Sequence, residues 1–317
     1  MTLNSHNLSK ERVLIVGCGD IGARFSNMAP DRYLITGLRR HPPVDTEHLH
    51  YQVCDVNDTD ALASILNQTA FSIILITMTP SESTDSGYER AYVQTCRNVV
   101  AGLKKNHHKP RLLLFVSSTG VYGQNHGEWV DENSSTEPES FSGKRLLEAE
   151  KVILASGFVS TVIRFSGIYG PGRNRLIDQV LEGRAKLSSQ ITNRIHVDDC
   201  AAALLHLVEL DREGAQLDSI YIATDSAPVT MSEVITWLAQ QLGKSLSVTA
   251  NEIEAGNSHD KARSGDKEGN NSDGGSNTKK NNNNKACDNQ RLLATGFQLR
   301  YPGYQQGYAA ILADKPQ

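Results

Sequence analysis

Apolar residues in this chain fall in short unbroken runs, separated by amphipathic stretches, and within the runs there is little alternation with polar residues. Val13–Val16, Tyr33–Leu38, Phe71–Thr77, Arg111–Ser118 and Ser160–Arg164 are of this kind, rich in Val, Ile and Leu. A strand with one wet face would alternate; a run that is apolar on both faces predicts a strand covered on both sides. Tyr51–Asp55 and Tyr221–Thr224 read as further strands. Helical patterns cover Ala23–Met28, Asp60–Asn67, Tyr88–Lys105, Gly143–Ala155, Cys200–Leu210 and Ser232–Leu242. Strands and helices alternating over short connections predict an α/β fold with a doubly wound parallel sheet.

The first run feeds directly into Gly17-Cys-Gly-Asp-Ile-Gly22. Gly17 permits a tight turn, Gly19 lets backbone approach a pyrophosphate without a Cβ between, and Gly22 allows helix to pack closely on strand. The helix that follows offers unpaired N–H groups and the positive end of its dipole to phosphates. A glycine-rich turn can simply turn the chain, but the strand before it and the helix after it supply the context for dinucleotide binding. Asp20 and Ile21 lie within the turn. The Asp20 carboxylate would repel a pyrophosphate, so its side chain is expected to point aside and cap backbone N–H groups.

The end of the second strand bears on which dinucleotide binds. An acidic residue there would accept from the adenosine ribose of NAD. Arg39 and Arg40 stand there instead, and their planar guanidinium groups suit the 2′-phosphate of NADP; the alternative is two solvated surface arginines. Asp55 either meets the adenine amino group or caps the following helix. Val56, Thr77 and Ile168 complete the expected cofactor contacts.

Composition narrows the class. The 317 residues carry a formal net charge of -4, which points to neither nucleic acid nor an anionic membrane surface. No apolar run approaches the roughly 20 residues that span a bilayer. Cys18, Cys54, Cys96, Cys200 and Cys287 are scattered and form no Cys-x-x-Cys pair, as expected of free thiols in the cytoplasm. No His or Cys set has metal-ligand spacing; His196–Asp199 is expected to cap the helix that follows. Residues 254–285 are rich in Asn, Gly, Ser, Asp and Lys. Such a segment buries too little surface to offset its ordering entropy and is expected to be a surface loop.

From the fifth strand onward, several phrases occur in a telling order: Ser117-Ser-Thr-Gly-Val-Tyr-Gly123, Lys144 within Phe-Ser-Gly-Lys-Arg, Arg164-Phe-Ser-Gly-Ile-Tyr-Gly-Pro-Gly172 and Arg194-Ile-His-Val-Asp-Asp199. With the N-terminal glycines, they resemble the extended and atypical short-chain dehydrogenase/reductases, the NAD-dependent epimerase/dehydratase family, and within it the bacterial YeeZ-like branch. The resemblance implies a Rossmann domain over 1–165, with 196–225 returning to it. It also implies a smaller α/β substrate domain from 166–195 and 226–317.

It further implies a Ser/Thr, Tyr, Lys constellation, in which Tyr is the acid/base and Lys lowers its pKa and holds the nicotinamide ribose. Ser118 matches the Ser/Thr position and Lys144 the Lys. The Tyr four residues before Lys144 is replaced by Ser140, and shifting the register by one pairs Phe141 with Arg145. Ser140 could donate a hydrogen bond but is a poor base without one beside it. Tyr122 and Tyr169 are the candidate substitutes, Tyr169 also as a substrate contact. Arg173 and Arg175 are placed where relatives contact a diphosphate; the alternative is two surface arginines on a loop.

The expected function is an NAD(P)-linked, epimerase/dehydratase-like oxidoreductase, NADP preferred, acting on a nucleotide sugar or another small carbonyl or hydroxyl compound. The alternative is a degenerate NADP-binding sensor. A monomer or a homodimer is expected.

Overall fold

The computed structural model describes residues 10–246 and 284–314. Seven strands form one parallel sheet: β1 (Glu11–Val16), β2 (Tyr33–Arg39), β3 (Leu49–Val53), β4 (Ile73–Ile76), β5 (Leu112–Ser118), β7 (Ser160–Phe165) and β11 (Ile220–Ala223). Their order is β11-β7-β5-β4-β1-β2-β3, and each neighbouring pair is parallel. The chain therefore reverses its winding between β1 and β4, which leaves a crevice at the carboxyl ends of these strands. The unbroken apolar runs are explained by this arrangement: Val13–Val16 and Ile73–Ile76 are wholly buried, between one apolar cluster on each face of the sheet.

Helices α1 (Asp20–Met28), α2 (Thr59–Gln68), α4 (Thr95–Lys105), α5 (Phe141–Leu154) and α7 (Val197–Arg212) accompany the sheet. Two departures from the sequence pattern matter for function. The helix starts at Asp20, directly on the glycine turn, rather than at Ala23. The single helix expected over Tyr88–Lys105 is composite: α3 (Asp85–Tyr88), a π-helical stretch over Glu89–Gln94, then α4. The wider π turn shifts the register of the side chains before it relative to those after it.

Beyond β7 the chain builds short paired strands. β8 (Gly167–Tyr169) is parallel to β10 (Arg194–His196), β9 (Ile191–Thr192) is antiparallel to β12 (Val229–Thr230), and β6 (Glu128–Val130) is parallel to β13 (Lys285–Cys287). Helices α6 (Arg175–Leu181), α8 (Met231–Gln241) and α10 (Tyr304–Ala313) share a third apolar cluster, centred on Ile177, Val234, Leu238 and Tyr308. The low-complexity stretch 254–285 lies outside the described residues up to position 283. Only its end is described, and there the expected boundary shifts, because Lys285 opens β13 and is 2% exposed.

Among the described residues, no helix is long and apolar enough to cross a membrane, and no cluster of His, Cys, Asp and Glu could hold a metal. All five cysteines are free and buried.

One polar contact in the core stands out. Glu150, on the face of α5 that also buries Leu146, Ala149 and Ile153, meets Arg164 of β7, with both side chains at most 3% exposed. Arg164 Nε and Nη2 donate to the two Glu150 carboxylate oxygens at 3.0 and 2.6 Å, and its Nη1 donates to the Tyr122 hydroxyl at 2.7 Å. Ser117 Oγ adds a donor to Glu150 at 2.5 Å. Removing one member strands a buried charge. Glu150→Ala is therefore expected to cost about 3–5 kcal/mol, measured by chemical denaturation; a loss below about 1 kcal/mol, the scale of an exposed pair, would contradict this.

Candidate functional site: a glycine turn between two cavities

Each glycine of the turn does a different physical job. Gly17 has φ +77° and faces Met78, with which a Cβ would collide. Gly22 lies where a Cβ would stand 2.8 Å from Cys18 Sγ and 3.1 Å from Ile15, so α1 packs against the strand only because it is glycine. Gly19 is different: a Cβ there would meet only the Gly17 carbonyl oxygen, at 4.0 Å. Its surroundings are open, as a backbone cradle for a bulky anion requires, and α1 starts at the next residue. Thr77 Oγ1 donates to the Gly17 carbonyl at 3.0 Å and fixes the turn to the end of β4. The turn thus fits the pyrophosphate of a dinucleotide.

A cavity of about 260 Å³ opens in front of Gly17 and Gly19. The structure brings Arg39, Arg40, Asp55 and Val56 together on its walls and adds His41 and Arg90. Asp55 accepts from the backbone N–H of Asn57 at 3.0 Å, whereas Asp58 caps α2. Of the two readings of Asp55, helix capping is thereby removed. Arg90 was not found by sequence reasoning: it sits in the π-helical stretch, and a regular helical pattern gives no sign that this position reaches the cavity.

Six of the expected cofactor residues, Asp20, Ile21, Gly22, Thr77, Lys144 and Ile168, do not line this cavity. Ile21 packs into the apolar cluster beneath α1, and Thr77 and Gly22 support the turn from behind. Asp20 caps nothing; it pairs with Arg24 at 2.9 Å and with Arg173 at 2.9 Å. Ile168 belongs to the second cavity.

That second cavity, about 630 Å³, opens at the carboxyl ends of β5 and β7. Ser118, Ile168, Tyr169, Arg173 and Arg175 line it, as do Asn193, Arg194, Lys285 and Tyr308. Ser118 Oγ accepts from the Gly120 backbone N–H at 3.1 Å, which caps a short 3₁₀ turn and leaves its own hydrogen free to donate.

The remaining catalytic candidates are not in this cavity. Ser140 is the N-cap of α5, accepting from Gly143 N–H at 3.1 Å. Phe141 packs edge-on against Tyr88. Lys144 is exposed on the first turn of α5 and lines neither cavity. Tyr122 is 2% exposed, its hydroxyl held by Arg164, and burial pushes its pKa well above the ordinary phenol value. A phenol so placed exchanges no proton with a substrate.

Tyr169 does reach the cavity, stacked at 4.7 Å on Tyr308, and burial likewise raises its pKa. Near it lie Arg194, 5% exposed, and Asp225, 2% exposed. Burial pushes the Asp225 carboxyl up to about 7, outweighing its bond from Ala227 N–H and the attraction of Arg194.

A dinucleotide cradle at a parallel-sheet crevice, with a polar cleft beside it, defines a nucleotide-dependent α/β protein. The chain belongs to the NAD-dependent epimerase/dehydratase family, whose model matches residues 13–223. It is similar over 96% of its length to 98% of a Methylobacillus flagellatus protein described as a candidate NAD-dependent epimerase/dehydratase, with 35% identity and a TM-score of 0.75. At lower identity it shares its fold with two further structures. The human epimerase family protein SDR39U1 (isoform 2), with NADPH, is 16% identical with a TM-score of 0.71, covering 96% of this chain and 100% of that one. The dTDP-glucose 4,6-dehydratase of Bacillus anthracis, with NAD, is 16% identical with a TM-score of 0.71, covering 96% of each chain. No curated protein matches the chain.

The Asp225 carboxyl carries a prediction. Its folded pKa is raised above the unfolded value of 3.8, to about 7. The stability this contributes is complete below the unfolded value and is lost as pH rises through the folded one. The difference in Tm between Asp225→Asn and wild type should therefore grow in the variant's favour from pH ~4 to ~7. A difference that is flat across this window would show that Asp225 titrates normally.

Proposed function

We propose that the protein is an NADP(H)-linked oxidoreductase of the epimerase/dehydratase kind, acting on a nucleotide sugar or a related small carbonyl or hydroxyl compound. The observation that carries the reading is the pair of cavities at the carboxyl ends of the sheet strands, one at the glycine turn and one at β5 and β7. One is ringed by cations, and the other holds a free hydroxyl donor, Ser118, among three arginines. Bound nicotinamide supplies a hydride donor or acceptor. Gly17 and Gly19 would hold the pyrophosphate and Asp55 and Val56 would flank the adenine. Arg39, Arg40 and Arg90 would meet the 2′-phosphate, since guanidinium forks match phosphate oxygens and a carboxylate at the end of β2 would repel them.

In the second cavity Ser118 would orient the substrate oxygen, and Arg173, Arg175 and Arg194 would face a diphosphate. Residues 1–165 and 196–225 then form the cofactor domain, and 166–195 with 226–317 the substrate domain. The NADPH-bound human structure and the dTDP-glucose dehydratase support the cofactor and substrate classes. Five buried free thiols agree with a cytoplasmic setting.

A second reading is favoured by Ser140: the position of the family's Tyr caps a helix, and Lys144 lines neither cavity. The protein would then bind NADP without turnover and report its redox state. Fluorescence titration with NADPH, followed by assay against dTDP-glucose, UDP-glucose and simple aldehydes, separates the two. Cofactor binding with turnover supports the first, cofactor binding alone the second, and no binding sinks both.

Two substitutions test the cofactor site. Gly19→Ala is expected to leave the fold intact, because the new methyl group meets nothing closer than 4.0 Å, and to weaken NADPH and NADH binding alike. Arg39→Ala or Arg90→Ala should weaken NADPH by about 10–100-fold, as for the loss of a charged hydrogen bond, with NADH unaffected. Equal losses for both cofactors would rule out the 2′-phosphate assignment.

A further inference from the structure

We infer that Lys285 is the proton-transfer residue of this cleft, taking the place left by the missing tyrosine; the inference rests on the oxidoreductase reading above. Lys285 is 2% exposed, yet it lines the second cavity together with Ser118, Thr119 and Gly120. Its Nζ lies 3.2 Å from the carbonyl oxygen of Tyr122, at the far end of the 3₁₀ turn that Ser118 caps. The ammonium and the serine hydroxyl are therefore held at the two ends of one short turn, and both residues line the cleft.

The strand that carries Lys285 is held firmly. Asn193 Nδ2 donates to the Lys285 carbonyl at 2.8 Å, and Asn193 Oδ1 accepts from Cys287 N–H at 2.8 Å. One residue earlier, Asn284 accepts from Ile191 N–H at 2.8 Å through its side chain and from Gly127 N–H at 2.7 Å through its carbonyl. Lys285 itself pairs with Glu128 in the β6–β13 register. A side chain on such a strand is fixed in position, as proton transfer requires.

The charge environment suits an amine that must change state. Glu128 on β6 and Cys287 on its own strand favour the ammonium, but burial outweighs them and lowers the Lys285 pKa from the ordinary lysine value. Across the cleft stand Arg173, Arg175 and Arg194, all cationic. When a carbinol is oxidised here, its C–H bond breaks and the hydrogen leaves with the electron pair for oxidised nicotinamide. The O–H proton passes to the Nζ lone pair, which becomes an ammonium; carbonyl reduction returns both. Lys144, exposed on α5, is in no position to do this.

Two measurements on the full chain test the assignment. The first needs no substrate: trace acetylation with acetic anhydride across the neutral to alkaline range, each lysine followed by peptide mass spectrometry. Lys285 is expected to gain amine reactivity at lower pH than Lys144. Reactivity that follows or lags that of Lys144, or no reaction at any pH, would overturn the assignment, the latter by showing the amine closed to the cleft. The second compares Lys285→Met and Lys285→Arg, with NADPH titration as the check on folding. Both should lose roughly 10²–10⁴-fold in kcat on a nucleotide sugar while binding NADPH as the wild type does.

Rescue by arginine, which keeps the charge but cannot release its proton, would reduce Lys285 to a structural cation and overturn the proposal. If wild-type protein binds NADPH but turns over none of the compounds, the oxidoreductase reading fails, and the acetylation profile alone decides whether Lys285 is a titrating cleft amine.

Discussion

A guanidinium buried between a strand and a helix is costly unless every side of it finds a partner, and Arg164 shows how the chain meets that demand. Glu150 receives two of its nitrogens, the Tyr122 hydroxyl receives the third, and Ser117 shares the carboxylate. Such a pair adds little net stability compared with a well-packed apolar alternative, but losing half of it is severe. Its consequence here is positional. Arg164 pins the side chain of Tyr122, and the carbonyl of that same residue receives Lys285. The turn that carries Ser118 is therefore fixed from beneath by the sheet and from above by β13. The part of the second cavity that carries Ser118 and Lys285 thus rests on one buried ion pair.

The same network explains why the tyrosines near the cleft are not interchangeable with the tyrosine that is missing. A phenol becomes a useful base only where its anion is favoured, next to a cation and with access to the substrate. Tyr122 has the cation but no access, and burial dominates its titration. Tyr169 lines the cavity, but its hydroxyl is buried against Gly307, and burial together with Asp225 and Asp199 opposes its ionisation. Ser140, freed from chemistry, does what a serine before a helix does well and satisfies an N-terminal N–H.

Much of this could be read from residue order alone. The buried strands, the tight turn at Gly17, the close packing at Gly22 and the cationic end of β2 all follow from local pattern, because each depends on residues within a few positions of one another. What escaped the sequence is non-local or too short to show a period. β13 is three residues long, pairs with a strand more than 150 positions away, and follows a stretch whose composition masks it. Arg90 reaches the cavity through a π-helical turn that no hydrophobic repeat announces. Arg194 was visible as a residue, but its burial beside Tyr169 and Asp225 depends on three segments meeting.

Asp20 was the residue least at ease in the sequence, a carboxylate at the mouth of an anion site. Its partners resolve the conflict. With Arg24 and Arg173 each at 2.9 Å, the charge at the helix start is offset by two cations. Arg173 also lines the second cavity, and Arg24 reaches on to Asp198 at the start of α7. The contact therefore joins the glycine turn of one cavity to the wall of the other through a chain of alternating charges. The carboxylate that looks misplaced in the motif is, in the folded protein, the centre of an ion-pair chain between α1, α7 and the loop that carries Arg173.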